Sequence, residues 1–189
     1  MSLSVTHLSV ANGATIDFEL DRGGCLALTG PSGSGKSLIL RALADLDPHG
    51  GSVTLGRTSM TRIPAPEWRR KVMYVPPNPA FWKARLADHL DDRPPAPEAV
   101  GLSPNRVTAP LGQLSTGERQ RGALIRALQR KPRVLLADEP SSALDPENTV
   151  KLEKLLTAFL GAGGAIVLVT HDPDQAARLA TQHITLDAA

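Results

Sequence analysis

Short runs rich in β-branched and aliphatic residues recur at positions 3–10, 15–20, 25–29, 52–55, 71–75, 133–138, 165–170 and 183–186. Bounded by turn residues, such runs are strand signals. The early ones lie close together with turns between them, which predicts antiparallel pairing, while the later ones alternate with helical patterns. Leu124, Ile125 and Leu128 recur at helical spacing, and so do Val150, Leu152, Leu155, Leu156, Phe159 and Leu160. Between about 76 and 113 the pattern breaks: prolines at 76, 77, 79, 94, 95, 97, 104 and 110 interrupt short helical pieces such as "FWKARLADHL". Together these signals predict one α/β domain over 1–189. It has a mixed sheet core, an N-terminal antiparallel β flank and a small helical insert at about 76–130.

Composition narrows this only a little. With 41% hydrophobic and 21% charged residues in 189, the chain can bury one sizeable core. The net charge of +2 comes from scattered arginines, so no nucleic-acid partner is expected. A lone cysteine, Cys25, sits in an apolar run and reads as a core residue, which excludes disulfides within the chain and suits a reducing cytoplasm. The N-terminal stretch has no secretory pattern. The most apolar segment, "LLTAFLGAGGAIVLVT" at 155–170, is split by Gly161, Gly163 and Gly164, and reads as a helix end, a glycine stop and a buried strand.

The chemistry concentrates after three of the apolar runs. Residues 30–37, Gly30, Pro31, Ser32, Gly33, Ser34, Gly35, Lys36 and Ser37, match G-x-x-x-x-G-K-[ST] between an apolar strand and the helical "SLILRALADL". That is the context of a P-loop: glycines let backbone N–H groups curl around a phosphate, the lysine reaches the β and γ phosphates, and the serine hydroxyl faces Mg²⁺. In "RVLLADEP", Asp138 ends a buried run, where an unpaired charge is costly, and is expected to orient the metal. Glu139 beside it is expected to polarise a water for in-line attack. His171 ends another apolar strand, "VLVTHD", and is expected at the same sheet edge, against the γ-phosphate.

A third motif separates this chain from other P-loop enzymes. "LSTGERQ" at 114–120 resembles the signature of the ATP-binding subunits of ABC transporters, "SSALD" at 141–145 resembles their D-loop, and His171 their switch histidine. The motifs run in family order from Gly30 to His171. The resemblance implies an ATPase using ATP and Mg²⁺ that works as a head-to-tail homodimer. Ser115 and the Gly117 amide would contact the γ-phosphate bound by the other subunit, and Asp145 would link the two sites. It further implies a separate transmembrane permease subunit, which would hold the chain at the inner face of the plasma membrane. Read locally, Ser115 and Glu118 also form a capping box, and Gly117 is a poor helix former placed where a backbone amide must approach a phosphate.

There are departures from the family pattern. Pro77 stands near the place of the Q-loop glutamine, the turn "VANGA" around Ala11 lacks the tyrosine that stacks on adenine, and Thr116 and Glu118 replace a glycine and a glutamine of the signature. The short length, "PAPEWRRKVMYVP" and "LSTGERQR" are similar to compact subunits of iron-efflux (Fet-type) systems. Phe81 and Trp82 are exposed candidates for a groove receiving the permease, or else fill the insert's own core. Two other functions stay open at this point: a soluble ABC ATPase uncoupled from transport, and a weakly hydrolysing nucleotide-binding module.

Overall fold

A computed structural model describes residues 2–187, so the single-domain reading over 1–189 extends slightly past it at both ends. The two kinds of strand pairing fall in separate sheets. β1 (Leu3–Ser9), β2 (Thr15–Leu20), β4 (Gly50–Leu55) and the short β5 (Thr58–Ser59) make an antiparallel sheet in the order β2-β1-β4-β5. β3 (Cys25–Thr29), β6 (Val72–Val75), β7 (Val134–Asp138), β8 (Ala165–Val169) and β9 (Gln182–Thr185) form a wholly parallel sheet ordered β6-β7-β8-β3-β9.

The parallel sheet is buried on both faces, which is why its strands read as continuous apolar runs rather than alternating ones. Leu26, Leu28, Val134, Leu136 and Val167 face a core shared with the antiparallel sheet and α1 (Lys36–Leu43). Cys25, Leu135, Ala137, Ile166 and Leu168 face the opposite way, onto α4 (Thr116–Gln129) and α5 (Pro146–Gly161). Leu124, Leu128, Leu152 and Leu156 from those helices complete this second core, at the spacings read from the sequence. Cys25 is fully buried there, and burial pushes its thiol up to about 12, so it stays an inert core residue.

α2 (Ala65–Lys71), unannounced by apolar periodicity, is pinned by Trp68, whose indole N–H donates 2.8 Å to the Leu43 carbonyl at the end of α1. α6 (Pro173–Leu179) begins at Asp172, whose carboxylate caps the amides of Asp174 and Gln175. The insert ends in α4, and in its proline-rich part, 76–113, the helical pieces other than α3 (Pro104–Thr108) are single 3₁₀ turns, because closely spaced prolines remove the N–H donors a longer helix needs. Leu86, Val100, Leu102, Val107, Leu114 and Ile125 give it a small core of its own. The proline-rich backbone is satisfied from α4: the buried Gln129 amide donates to the carbonyls of Asp91, Arg93 and Pro95 and accepts from the Asp91 N–H. Among the described residues no helix is long and apolar enough to cross a membrane.

Candidate active site

All five strands of the second sheet run parallel, so the segments leaving the ends of β3, β7 and β8 emerge along one edge, where open α/β sheets bind ligands. The loop after β3 turns on three residues with positive φ: Gly30 at 138°, Gly33 at 84° and Gly35 at 98°. Gly30 has a second reason to be glycine. A Cβ there would lie 2.5 Å from the Leu186 carbonyl oxygen. Lys36, the first residue of α1, is nearly buried and folds back so that its ammonium donates 2.9 Å to the Gly30 carbonyl and 2.7 Å to the Pro31 carbonyl. Pro31, Ser32 and Gly33 stand exposed at the tip of the loop, and Ser37 is exposed one residue into the helix. The Ser34 hydroxyl is buried without a hydrogen-bond partner. Such a group is costly unless something completes it.

Asp138, 2% exposed, takes a hydrogen bond from the Tyr74 hydroxyl at 2.8 Å. Burial and the Asp138 charge push the Tyr74 phenol above its ordinary range, so it remains a donor. Tyr74 pairs in register with Leu136 on the neighbouring strand, and two residues further along β7, on the same face, stands Asp138. Glu139, the first residue past β7, takes a left-handed φ of 50°, so the chain leaves the strand there and its carboxylate does not share the Tyr74 contact. There its Oε1 lies 3.1 Å from Nε2 of His171, and its backbone N–H donates to the Val169 carbonyl. The two adjacent carboxylates thus meet different partners, Asp138 the Tyr74 hydroxyl and Glu139 the His171 ring. His171 meets Glu139 within the chain.

The signature turn is complete and faces elsewhere. The Glu118 N–H donates 3.2 Å to the Ser115 hydroxyl and the Ser115 N–H donates 2.8 Å to the Glu118 carboxylate, closing the capping box. Glu118, in place of the family glutamine, is clamped by the Arg106 guanidinium, which together with the Ser115 donors holds its carboxyl down to about 2. Ser115 and Thr116 are exposed while Gly117 is buried, and a Cβ on Gly117 would lie 2.6 Å from the Ala143 carbonyl oxygen. The glycine is therefore required by a close approach inside the chain, a reason beyond any phosphate contact. Asp145 caps α5, accepting from the Asn148 N–H at 2.9 Å and its side-chain amide at 2.7 Å, which lower its pKa. Among the described residues no hydrogen bond or ion pair joins 114–118 to the P-loop.

Two participants escaped the sequence reading. Tyr74 gave no local signal, because its partner lies 64 residues away. Asn12, in the "VANGA" turn, donates 3.3 Å to the Gly33 carbonyl while accepting from the Ala14 N–H, so that turn leans on the P-loop with a polar contact in place of an aromatic one. Phe81 and Trp82 also part ways: Phe81 packs half-buried against the cores, and Trp82 is 75% exposed.

Residues 14–142 match the family model described as ABC transporter. The chain is 36% identical to the phosphate import ATP-binding protein PstB of Pyrobaculum aerophilum, over 95% of this chain and 81% of the relative. The chain belongs to the ABC transporter family. This ABC ATPase is also 37% identical to the aliphatic sulfonates import ATP-binding protein SsuB 2 of Mesorhizobium japonicum, over 95% of its own length and 72% of the relative's. Its fold matches a dimeric ATP-binding cassette in a post-hydrolysis state bound to ADP and Pi, with a TM-score of 0.83 at 22% identity, covering 97% of this chain and 94% of that one. It also matches a bacterial Atm1-family exporter with ATP bound at a TM-score of 0.85 and 22% identity, covering 99% of this chain and 37% of the exporter. As a member of this family the chain binds and hydrolyses ATP.

Proposed function

We propose that the chain, as one domain over 1–189 with a reduced insert at about 76–130, is the ATP-hydrolysing subunit of a transporter. It energises a separate membrane subunit by ATP-driven head-to-tail dimerisation. The observation that carries this reading is the fully built signature turn, clamped by Arg106 and pressed close to the Ala143 carbonyl, which among the described residues makes no hydrogen bond or ion pair to its own P-loop. A turn so prepared, with Ser115 exposed at a helix N-terminus that favours anions, suits a phosphate held by a second copy.

In that arrangement the loop amides from Gly30 to Ser37 cradle the phosphates, and Lys36 exchanges its two carbonyl partners for phosphate oxygens. The unpartnered Ser34 hydroxyl fits the same ligand. Mg²⁺ takes oxygen ligands and usually keeps several waters beside one or two carboxylates and substrate phosphates. Ser37 and Asp138 would hold Mg²⁺, with Tyr74 orienting the carboxylate. Bound there, the ion supplies neutralisation of phosphate charge. Glu139 accepts a proton from the attacking water, and His171 steadies that carboxylate across 3.1 Å. Asp145 holds the start of α5 beside the signature turn, where it can pass closure of one site to the other.

Coupling to a membrane subunit rests on a groove of about 590 Å³ lined by Tyr74, Pro76, Trp82, His89, Arg126 and Arg130 among others. Trp82 stands at its rim, its ring edge-on to His89 at 4.5 Å and under the Arg126 guanidinium at 5.2 Å. An exposed tryptophan with a cation against it is a common anchor for a partner segment. Attachment to the inner face of the plasma membrane follows from such a partner. The names of the relatives specify phosphate and sulfonate import, and give no support to the iron-efflux likeness.

Two results test this reading. Lys36→Ala is expected to weaken ATP binding on the order of a hundredfold, the loss of two charge-assisted contacts, measured by titration calorimetry with the purified protein. Trp82→Ala is expected to cost about 1 kcal/mol of stability or less. It should nevertheless remove the ATPase stimulation given by the membrane subunit that this reading requires. Undiminished stimulation would take the groove out of the account.

A further inference from the structure

Gln120, one turn into α4, is 4% exposed and sits where three loops meet. Its side-chain N–H₂ group lies 2.9 Å from the Pro77 carbonyl, 3.4 Å from the Glu139 carbonyl and 3.3 Å from the Ser142 hydroxyl. That hydroxyl gives its own proton to the Glu139 carbonyl at 3.0 Å. All three neighbours therefore present oxygen acceptors, which fixes the orientation of the amide. Two hydrogens are shared among three acceptors, and the side-chain oxygen, Oε1, is buried without a partner. A leucine or methionine would fill this volume with no orphaned oxygen. An imperfectly satisfied amide retained in the interior calls for a compensating role.

The elements it joins supply one. Pro76 and Trp82 on one side, and Ala123, Arg126 and Ala127 of the same helix, line the groove assigned above to the membrane partner. On the other side, the Glu139 backbone is the strained turn that aims the base. Pro77 has no side-chain amide and no N–H to offer, so the link from this loop to the catalytic turn runs through its carbonyl. We propose that Gln120 is the positioning residue that ties the Pro77 loop to the Glu139 turn, so that displacement in the groove is transmitted to the placement of the base. This rests on Glu139 being that base.

The test uses the full chain with ATP as the probe. Gln120→Met, close in shape but unable to donate, should lower kcat on the order of tenfold or more while leaving KM for ATP within about twofold, the pattern of a misplaced base rather than a lost binding contact. In a Glu139→Gln background, where ATP is bound without turnover, the ATP-induced change in Trp82 emission, identified by its loss in Trp82→Phe, should disappear with Gln120→Met. Gln120→Leu, which has no donor at any pH, is measured alongside and decides the matter if the methionine variant does not fold. Wild-type kcat together with a wild-type Trp82 response in the Gln120 variants overturns the proposal. So does a rise in KM that matches the fall in kcat, or the absence of any ATP-induced Trp82 change before Gln120 is altered. If Glu139→Gln itself hydrolyses ATP normally, the base reading falls and this inference with it. If Glu139→Gln is inactive and the Gln120 variants behave as wild type, only the coupling is lost.

Discussion

Glu139→Gln is expected to lower kcat by about 10²–10⁴, the usual contribution of a positioned general base, while ATP affinity stays within about threefold. The substitution keeps the shape of a side chain that is partly exposed and in contact with His171, so the fold has little reason to change. An amide can hydrogen bond to His171 but cannot take a proton from water at neutral pH. With closure intact and chemistry stopped, the variant should accumulate as an ATP-bound dimer, seen by size-exclusion chromatography with light scattering and single-turnover assays. Wild-type turnover in this variant would remove Glu139 from the reaction and return attention to Asp138. Its burial and its bond from Tyr74 suit it for holding a cation rather than moving a proton.

Gly117→Asp is expected to abolish ATP-driven dimerisation and with it cooperative hydrolysis, while the monomer still binds ATP, because among the described residues no hydrogen bond or ion pair joins the signature turn to the P-loop. Sequence reasoning alone expects an intact fold in this variant. The structure changes that expectation. A Cβ at 117 would meet the Ala143 carbonyl oxygen at 2.6 Å and the Leu144 side chain at 3.0 Å, so the 141–145 loop must move. Overpacking of this kind costs about 1–3 kcal/mol, or roughly 2–10 °C in Tm for a chain of this size. A carboxylate placed against a carbonyl oxygen adds repulsion. Gly117→Ala separates the two effects: it carries the steric cost without the charge, so it should lose stability and retain some dimerisation. Thermal unfolding and light scattering on both variants read the difference, and dimers forming normally in Gly117→Asp would end the cross-subunit reading of this turn.

The glycine at 117 shows how the two levels of description divide. A helix-breaking residue inside a capping box was visible as an anomaly, and its phosphate role was a reasonable inference from a motif. Its immediate cause, the Ala143 backbone pressed against it, depends on how α4 packs against the loop before α5, which no local pattern encodes. The same holds for the aromatics of the insert. Phe81 and Trp82 are adjacent and chemically alike, yet one fills a core and the other stands in solvent, because the cores they adjoin are assembled from separate parts of the chain.

By itself the amino-acid sequence determined the strands β1 to β4 and β6 to β9, the helices α1, α4 and α5, the P-loop, the capping box at Ser115 and the motif order that marks an ABC ATPase. These depend on backbone preferences and hydrogen bonds a few residues apart: glycines free to take positive φ, a serine and a glutamate three positions apart, apolar runs long enough to be buried on both faces. Tertiary structure alone decided that antiparallel and parallel pairing belong to different sheets. It decided too that Tyr74 holds Asp138, that Glu139 turns to His171, and that Gln120 joins the Pro77 loop to the catalytic turn. Each of those contacts joins groups at least 19 residues apart in the chain, and only the closed packing of the sheets and helices brings the partners within bonding distance.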